Sequence, residues 1–188
     1  MTAVQVDIHT ELIEKCRKGD RLAYSKVYKL YAKGMFNICL RMLNNRSLAE
    51  DMLQEVFTEA FQSIRNFRFE STFGSWLKQI VVNKCINELK RKKIELEFLD
   101  EMESVDMSDE QEVKLSEYEL AMNVENVKKA MELLPDGSRA IFSLYLLEGY
   151  DHVEISEILH ITESTSKSQY MRARLRVKEI LKEIYYER

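Results

Sequence analysis

Proline occurs once, at Pro135, and glycine five times in 188 residues. Helix breakers are that scarce only in chains that run in long helices. An all-β fold would need turn residues every ~8–12 positions, and this sequence does not supply them. The apolar share of 45% beside 32% charged residues fits a soluble, well-packed protein. No apolar run approaches the ~20 residues that span a bilayer. The opening MTAVQVDIHTELIEK has no charged-then-apolar leader pattern, so a cytoplasmic protein without membrane insertion is expected. Cys16, Cys39 and Cys85 are scattered, with no CxxC or Cys/His spacing. They read as buried free thiols in a reducing compartment, and no metal site or cofactor is expected.

Charge is laid out in blocks, which says more than the net value of −4. Lys84, Lys90, Arg91, Lys92 and Lys93 form a basic cluster. Between Glu95 and Glu119 eleven carboxylates face Lys114 alone. Lys167, Arg172, Arg174, Arg176 and Lys178 then restore positive charge. The acidic stretch has weak hydrophobic periodicity and cannot bury much, so it reads as a flexible linker. The expected architecture is all-α: a helical domain over residues 10–93, an acidic linker over 94–122, and a second helical domain over 123–186.

In the first domain a helix begins at Thr10 and Gly19 ends it. A second, from Arg21 to about Asn44, has apolar positions at Leu22, Val27, Leu30, Tyr31, Met35, Ile38, Cys39 and Met42. A third starts at SLAE, where Ser47 and Glu50 match a capping box. Leu48, Met52, Leu53, Val56, Phe57, Ala60, Phe61 and Ile64 recur at helical spacing and should face the core. Asp51, Gln54, Glu55, Thr58 and Gln62 line the opposite side, which spacing alone fits as an ordinary solvated face. A fourth helix runs from Phe73, with Ser71 or Thr72 as N-cap. Trp76, Leu77, Ile80 and Val81 give its apolar stripe, and Gln79, Asn83, Asn87 and Lys90 share another face. Amides suit base edges and ammonium groups suit phosphates. Phe67, Phe69, Phe73 and Trp76 cluster at the helix start, near Arg68. Such rings can stack unpaired bases, although the spacing of Phe73 and Trp76 equally fits a core.

In the second domain, helices cover about Asn126 to Leu134 and GSRAIFSLYLLEGY, the latter with Ala140, Ile141, Leu144, Tyr145 and Leu147 as expected core. Asp151 and Glu154 match a capping box ahead of a short helix carrying Val153, Ile155, Ile158 and Leu159. HIT makes a tight turn, and Thr162 caps the next helix. This helix–turn–helix pattern can place its second helix in a major groove. Glu163, Ser164, Thr165, Ser166, Lys167 and Ser168 open that helix, and Arg172, Arg174 and Arg176 follow to meet phosphates. A plain helical hairpin would show the same local pattern.

Taken together, three segments resemble the compact extracytoplasmic-function (ECF) group of bacterial sigma-70 factors. LAEDMLQEVFTEAFQSIRNFR resembles region 2.2, FESTFGSWLKQIVVNKCINELKRKK resembles regions 2.3–2.4, and LLPDGSRAIFSLYLLEGYDHVEISEILHITESTSKSQYMRARLRVKEIL resembles region 4. The resemblance covers Leu12 to Leu181. It implies a subunit that binds core RNA polymerase and directs promoter-specific initiation, with promoter DNA and an anti-sigma factor as further partners. It implies that Asp51, Gln54, Glu55 and Thr58 dock on the polymerase. It places Phe67, Arg68, Phe73, Trp76, Asn83, Lys84, Asn87, Lys90 and Arg91 at the −10 element, with Asn83 at a captured base. Ser164, Thr165, Lys167, Ser168, Arg172 and Arg174 fall at the −35 element.

Three departures stand out. His160 occupies a turn position where Gly is frequent, Ser164 and Ser166 replace Gly and Val, and Gln169 stands where Arg is usual. The expected consequences are a strained turn, looser packing at Ser166 and one lost DNA contact at Gln169.

An autonomous helix–turn–helix regulator is the alternative, but it would leave residues 10–93 unexplained. An enzyme is not expected: His9, His152 and His160 are far apart, and no phosphate-cradling loop or nucleophile–base pair occurs.

Overall fold

A computed structural model describes residues 9–91 and 124–186. The acidic segment 94–122, together with Lys92 and Lys93 of the basic cluster, lies outside the described residues. Every regular element among the described residues is helical. The chain divides into two compact units, residues 1–92 and 93–188.

The N-terminal unit holds α1 (Thr10–Arg17), α2 (Arg21–Leu43), α3 (Arg46–Ser63), a 3-10 turn (Ile64–Asn66) and α4 (Phe73–Arg91). Gly19, at φ +85°, turns the chain out of α1. Asp20 then caps α2 by accepting the Leu22 and Ala23 amides at 2.8 and 3.2 Å. Asn44 ends α2 in the left-handed region at φ 48°, and Asn45 at once caps α3 by accepting the Leu48 N–H at 2.9 Å. The expected Ser47–Glu50 box is therefore not formed. The paired asparagines close the corner two residues early, Ser47 lies inside the first turn, and Glu50 pairs with Arg46 at 2.9 Å. Thr72 caps α4 as expected, accepting the Ser75 amide at 3.2 Å.

α2 packs on both α3 and α4, which also pack on each other. Val27, Met35, Ile38, Cys39 and Met42 of α2 meet Met52, Leu53, Val56, Phe57 and Ala60 of α3 and Phe73, Leu77, Val81 and Cys85 of α4 in one core. Leu22 and Leu30, expected among the apolar stripe of α2, are 74% and 53% exposed because none of the described residues covers that side of the helix. Leu48, Phe61 and Ile80 are half-buried. The three cysteines are buried free thiols. Burial, then Asp20, pushes the Cys16 thiol up to about 11; the Cys39 contact and burial raise Cys85. Cys16 and Cys85 are therefore poor nucleophiles.

The C-terminal unit comprises α5 (Val124–Glu132), α6 (Asp136–Leu146), α7 (His152–Leu159) and α8 (Glu163–Tyr186). α8 packs against the other three. Ala130, Met131 and Leu134 meet Phe142 and the α8 stripe Ala173, Val177, Ile180 and Leu181. Tyr145 and Leu147 are exposed, contrary to expectation, although one face of the Tyr145 ring rests on Tyr170 of α8, centroids 4.4 Å apart; Val153 of α7 is exposed as well. The Asp151–Glu154 capping box is present in both directions. His160 takes the predicted left-handed turn at φ 58°, and Thr162 caps α8 by accepting the Thr165 amide at 3.0 Å.

Candidate nucleic-acid interface

On α3, Asp51, Gln54, Glu55, Thr58 and Gln62 are all exposed and form one polar face with Glu59. The Thr58 hydroxyl donates to the Gln54 carbonyl at 2.8 Å, so the helix itself occupies it. Lys84 reaches across from α4 to Glu59 at 3.1 Å and Glu55 at 3.4 Å. Burial lowers the affinity of that ammonium for its proton, but the two carboxylates together outweigh burial and hold Lys84 above the ordinary lysine value. Lys84 therefore lines the α3 groove with Asp51 and Gln54. Along α4 it sits about 100° round from Asn83.

Gln79, Asn83 and Asn87 are exposed on α4, one turn apart, with Lys90 half-buried below them. Arg91 is exposed but held by the buried Glu88 through two bonds of 2.9 and 3.1 Å. That pairing fixes the plane of the guanidinium at the helix end.

The aromatic cluster divides between core and surface. Phe73 is fully buried and Phe67 is 2% exposed, so neither ring offers a face to a base. Both sit under Trp76, with ring centroids 5.3–5.4 Å from it. Only Trp76 and Phe69 remain half-exposed, beside an exposed Arg68. Aromatics at a helix start must first close the core beneath that start.

On α8, Ser164, Lys167 and Arg174 are exposed, while Thr165, Ser168 and Arg172 are half-buried. The Thr165 hydroxyl shares a 2.8 Å bond with Thr162, and Ser168 donates to the Thr165 carbonyl at 3.1 Å. Lys167 pairs with Glu163 at 2.6 Å. Phosphate binding by Lys167 must compete with that carboxylate.

Two expectations at the departures are corrected. Gln169 is 5% exposed and accepts from Ser138 of α6 at 3.2 Å. It is an interhelix tie, not a vacated DNA contact. Ser166 is fully buried and bonded to His152 Nδ1 at 2.9 Å, so it joins α7 to α8 rather than loosening them. The signal was available: positions 166, 169, 173, 177 and 180 form one helical stripe whose last three members are apolar core.

His152 also stacks on Tyr145, centroids 4.4 Å apart. Burial, then Lys167, lowers its affinity for a proton, against Glu163 and Asp151. The unfolded chain therefore binds a proton that the folded unit resists. Stability from this group is complete above the ordinary histidine range and is lost as pH falls through it. His152→Gln should flatten the acid side of the C-terminal unit's stability profile near pH ~6, read by urea denaturation at stepped pH. An unchanged profile would remove His152 as the cause.

Comparison with known proteins bears on this geometry. The family model for sigma-70 region 2 matches residues 27–94, and that for sigma-70 region 4 matches 125–177. The ECF RNA polymerase sigma factor SigW of Bacillus subtilis is 28% identical over 180 residues, covering 92% of this chain and 96% of that protein. The ECF sigma-E factor of Haemophilus influenzae is 29% identical, covering 87% and 89%. The chain is an ECF sigma factor of the sigma-70 family. Among solved structures, the sigma factor RpoE of Bartonella quintana, crystallised with the anti-sigma factor NepR, shares the fold at TM-score 0.55 and 20% identity, over 85% of this chain and 96% of that one. CnrH, solved with the cytosolic domain of CnrY, matches at TM-score 0.53 and 18% identity, over 91% and 95%. In this sigma factor the region 2 match begins within α2, takes in α3 and α4 and leaves α1 out, and the region 4 match takes in α7, the turn and α8 as far as Val177. No described helix is long and apolar enough to cross a membrane.

Proposed function

We propose that this sigma factor docks on core RNA polymerase through the α3 face, captures the −10 strand with α4, and reads the −35 duplex with the start of α8. The observation that carries this reading is the order of the two sigma regions in one chain, each with its exposed polar face intact. Asp51, Gln54 and Glu55 offer carboxylates and an amide to a basic partner. Asn83 and Asn87 offer amides to base edges, with Lys90 and Arg91 toward phosphates. Ser164, Lys167 and Arg174 are the exposed contacts of α8. The protein acts in the cytoplasm as a specificity subunit, with no chemistry or cofactor of its own and with catalysis left to the polymerase. An anti-sigma factor is its proposed regulator, as NepR partners RpoE.

The test is run-off transcription with purified core polymerase on a genomic fragment library. Discrete transcripts from shared upstream sequences are expected. Tight sequence-specific duplex binding without polymerase, and no transcripts with it, would instead favour an autonomous regulator.

Two substitutions separate docking from DNA capture. Asp51→Arg should weaken core binding about tenfold or more, by reversing an exposed charge at the interface, with an unchanged circular-dichroism melt. Asn83→Ala should depress open-complex formation, read by permanganate reactivity, with core affinity unaltered. Normal opening by Asn83→Ala would remove Asn83 from base capture.

A further inference from the structure

Phe69 is a bulky residue at φ 58°, in the left-handed region that such side chains rarely occupy. Conformations of that kind persist only where surrounding contacts over-determine them, and they concentrate at working segments. The contacts here come from α1. The Arg17 guanidinium carbon lies 5.6 Å from the centroid of the Phe69 ring, a cation–π arrangement. The same guanidinium donates to the Arg65 carbonyl at 3.1 Å and to Glu14 at 2.8 Å. It therefore grips both the 3-10 turn after α3 and the loop before α4. Phe69 in turn lies 4.7 Å from Phe67, which touches Phe73 and Trp76 at the start of α4. The other end of α1 braces the same cluster: His9 bonds Tyr31 at 2.8 Å, and Tyr31 meets Phe73 edge-on at 5.3 Å.

We propose that Arg17 and Phe69 form a latch that sets the shape of loop 67–72 for capture of the −10 strand. Both are positioning residues. The inference rests on the −10 reading above and gives α1, which lies outside the region 2 match, a part in it. The latch acts on the link between the docking helix α3 and the DNA-facing helix α4, without itself lying on the docking face. Its loss therefore affects strand capture and leaves polymerase affinity alone.

The experiment uses holoenzyme assembled from core polymerase and the full chain. The probe is a fluorescent single-stranded oligonucleotide carrying the non-template −10 sequence of a promoter recovered by the run-off experiment. Phe69→Gly keeps the left-handed backbone and removes the ring. Arg17→Lys keeps the charge and loses the planar group that can stack and donate twice. Each is expected to weaken strand binding about tenfold, while Phe69→Tyr retains the ring and stays within about twofold of wild type. Core affinity should be unchanged in all three. If Phe69→Gly and Arg17→Lys bind the strand normally while Asn83→Ala does not, the latch is overturned and the −10 reading stands. If core affinity falls in parallel with strand binding, the contacts are a general brace and the latch is again overturned. If Asn83→Ala also binds the strand as wild type does, the −10 reading falls and the latch with it.

Discussion

Phe73→Ala is expected to destabilise the N-terminal unit by ~3–5 kcal/mol, the usual cost of emptying a large aromatic site in a packed core. Set against a typical total of ~5–15 kcal/mol, that is enough to leave the unit marginal at 37 °C. Phe73 is fully buried as the first residue of α4, with Tyr31, Phe67 and Trp76 rings 5.3–5.7 Å away. Neighbours from α2, the loop and α4 cannot all collapse into the space at once, so a cavity remains. The molecule carries its own probe, because the single tryptophan, Trp76, lies 5.4 Å from Phe73 and in this unit alone. Urea denaturation followed by Trp76 fluorescence should show the loss, while Phe73→Leu keeps most of the volume and should cost about 1–2 kcal/mol. The C-terminal unit, followed by amide hydrogen exchange, should not move. A Phe73→Ala protein of normal stability that fails to hold the −10 strand would instead make this ring a base platform.

That contrast shows where the sequence was legible and where it was not. Caps at Thr72, Asp151 and Thr162, and the left-handed His160, follow from rules that span a few residues, and each was read correctly. The α3 start was misplaced because Asn44 and Asn45 together make a corner that a capping-box pattern does not encode. Periodicity found the apolar stripes but could not say which side of a helix acquires a neighbour, hence the exposed Leu22, Leu30 and Leu147. Polar residues were hardest. Gln169 looked like a lost DNA contact and Ser166 like a packing defect, and only the packing of α8 against α6 and α7 makes them interior ties. Lys84 meets partners 25 and 29 positions away, on another helix, so no local pattern could assign it. On α3 spacing alone gave a solvated face and no more; on α4 the amides, Lys90 and the aromatics suggested nucleic-acid contacts, and the specific roles on both helices came from family resemblance.

The second large effect is expected at a residue the sequence did not single out. Arg139 is 2% exposed, with its guanidinium donating to the Leu134 carbonyl at 2.7 Å and to the Asp136 carboxylate. It closes the chain after α5 onto α6. Asp136 sits in the first turn of α6, where the helix dipole also favours a carboxylate. Removing one member of a buried pair leaves an uncompensated charge, whereas removing both leaves none. Asp136→Ala should therefore destabilise the C-terminal unit by about 2–3 kcal/mol, toward the low end for such pairs because Asp136 keeps 28% exposure. Arg139→Met keeps most of the volume and discards the charge, at a cost of about 1–2 kcal/mol for the unsatisfied Leu134 carbonyl. The decisive measurement is the double variant. If the cost of Asp136→Ala is a stranded guanidinium, adding Arg139→Met restores stability relative to Asp136→Ala alone, a coupling of opposite sign to simple addition. The C-terminal unit has no tryptophan, so amide hydrogen exchange of α6 under urea is the readout. A double variant less stable than Asp136→Ala would mean that Arg139 acts as a hydrogen-bonded cap on α5, with its charge already well compensated by other means.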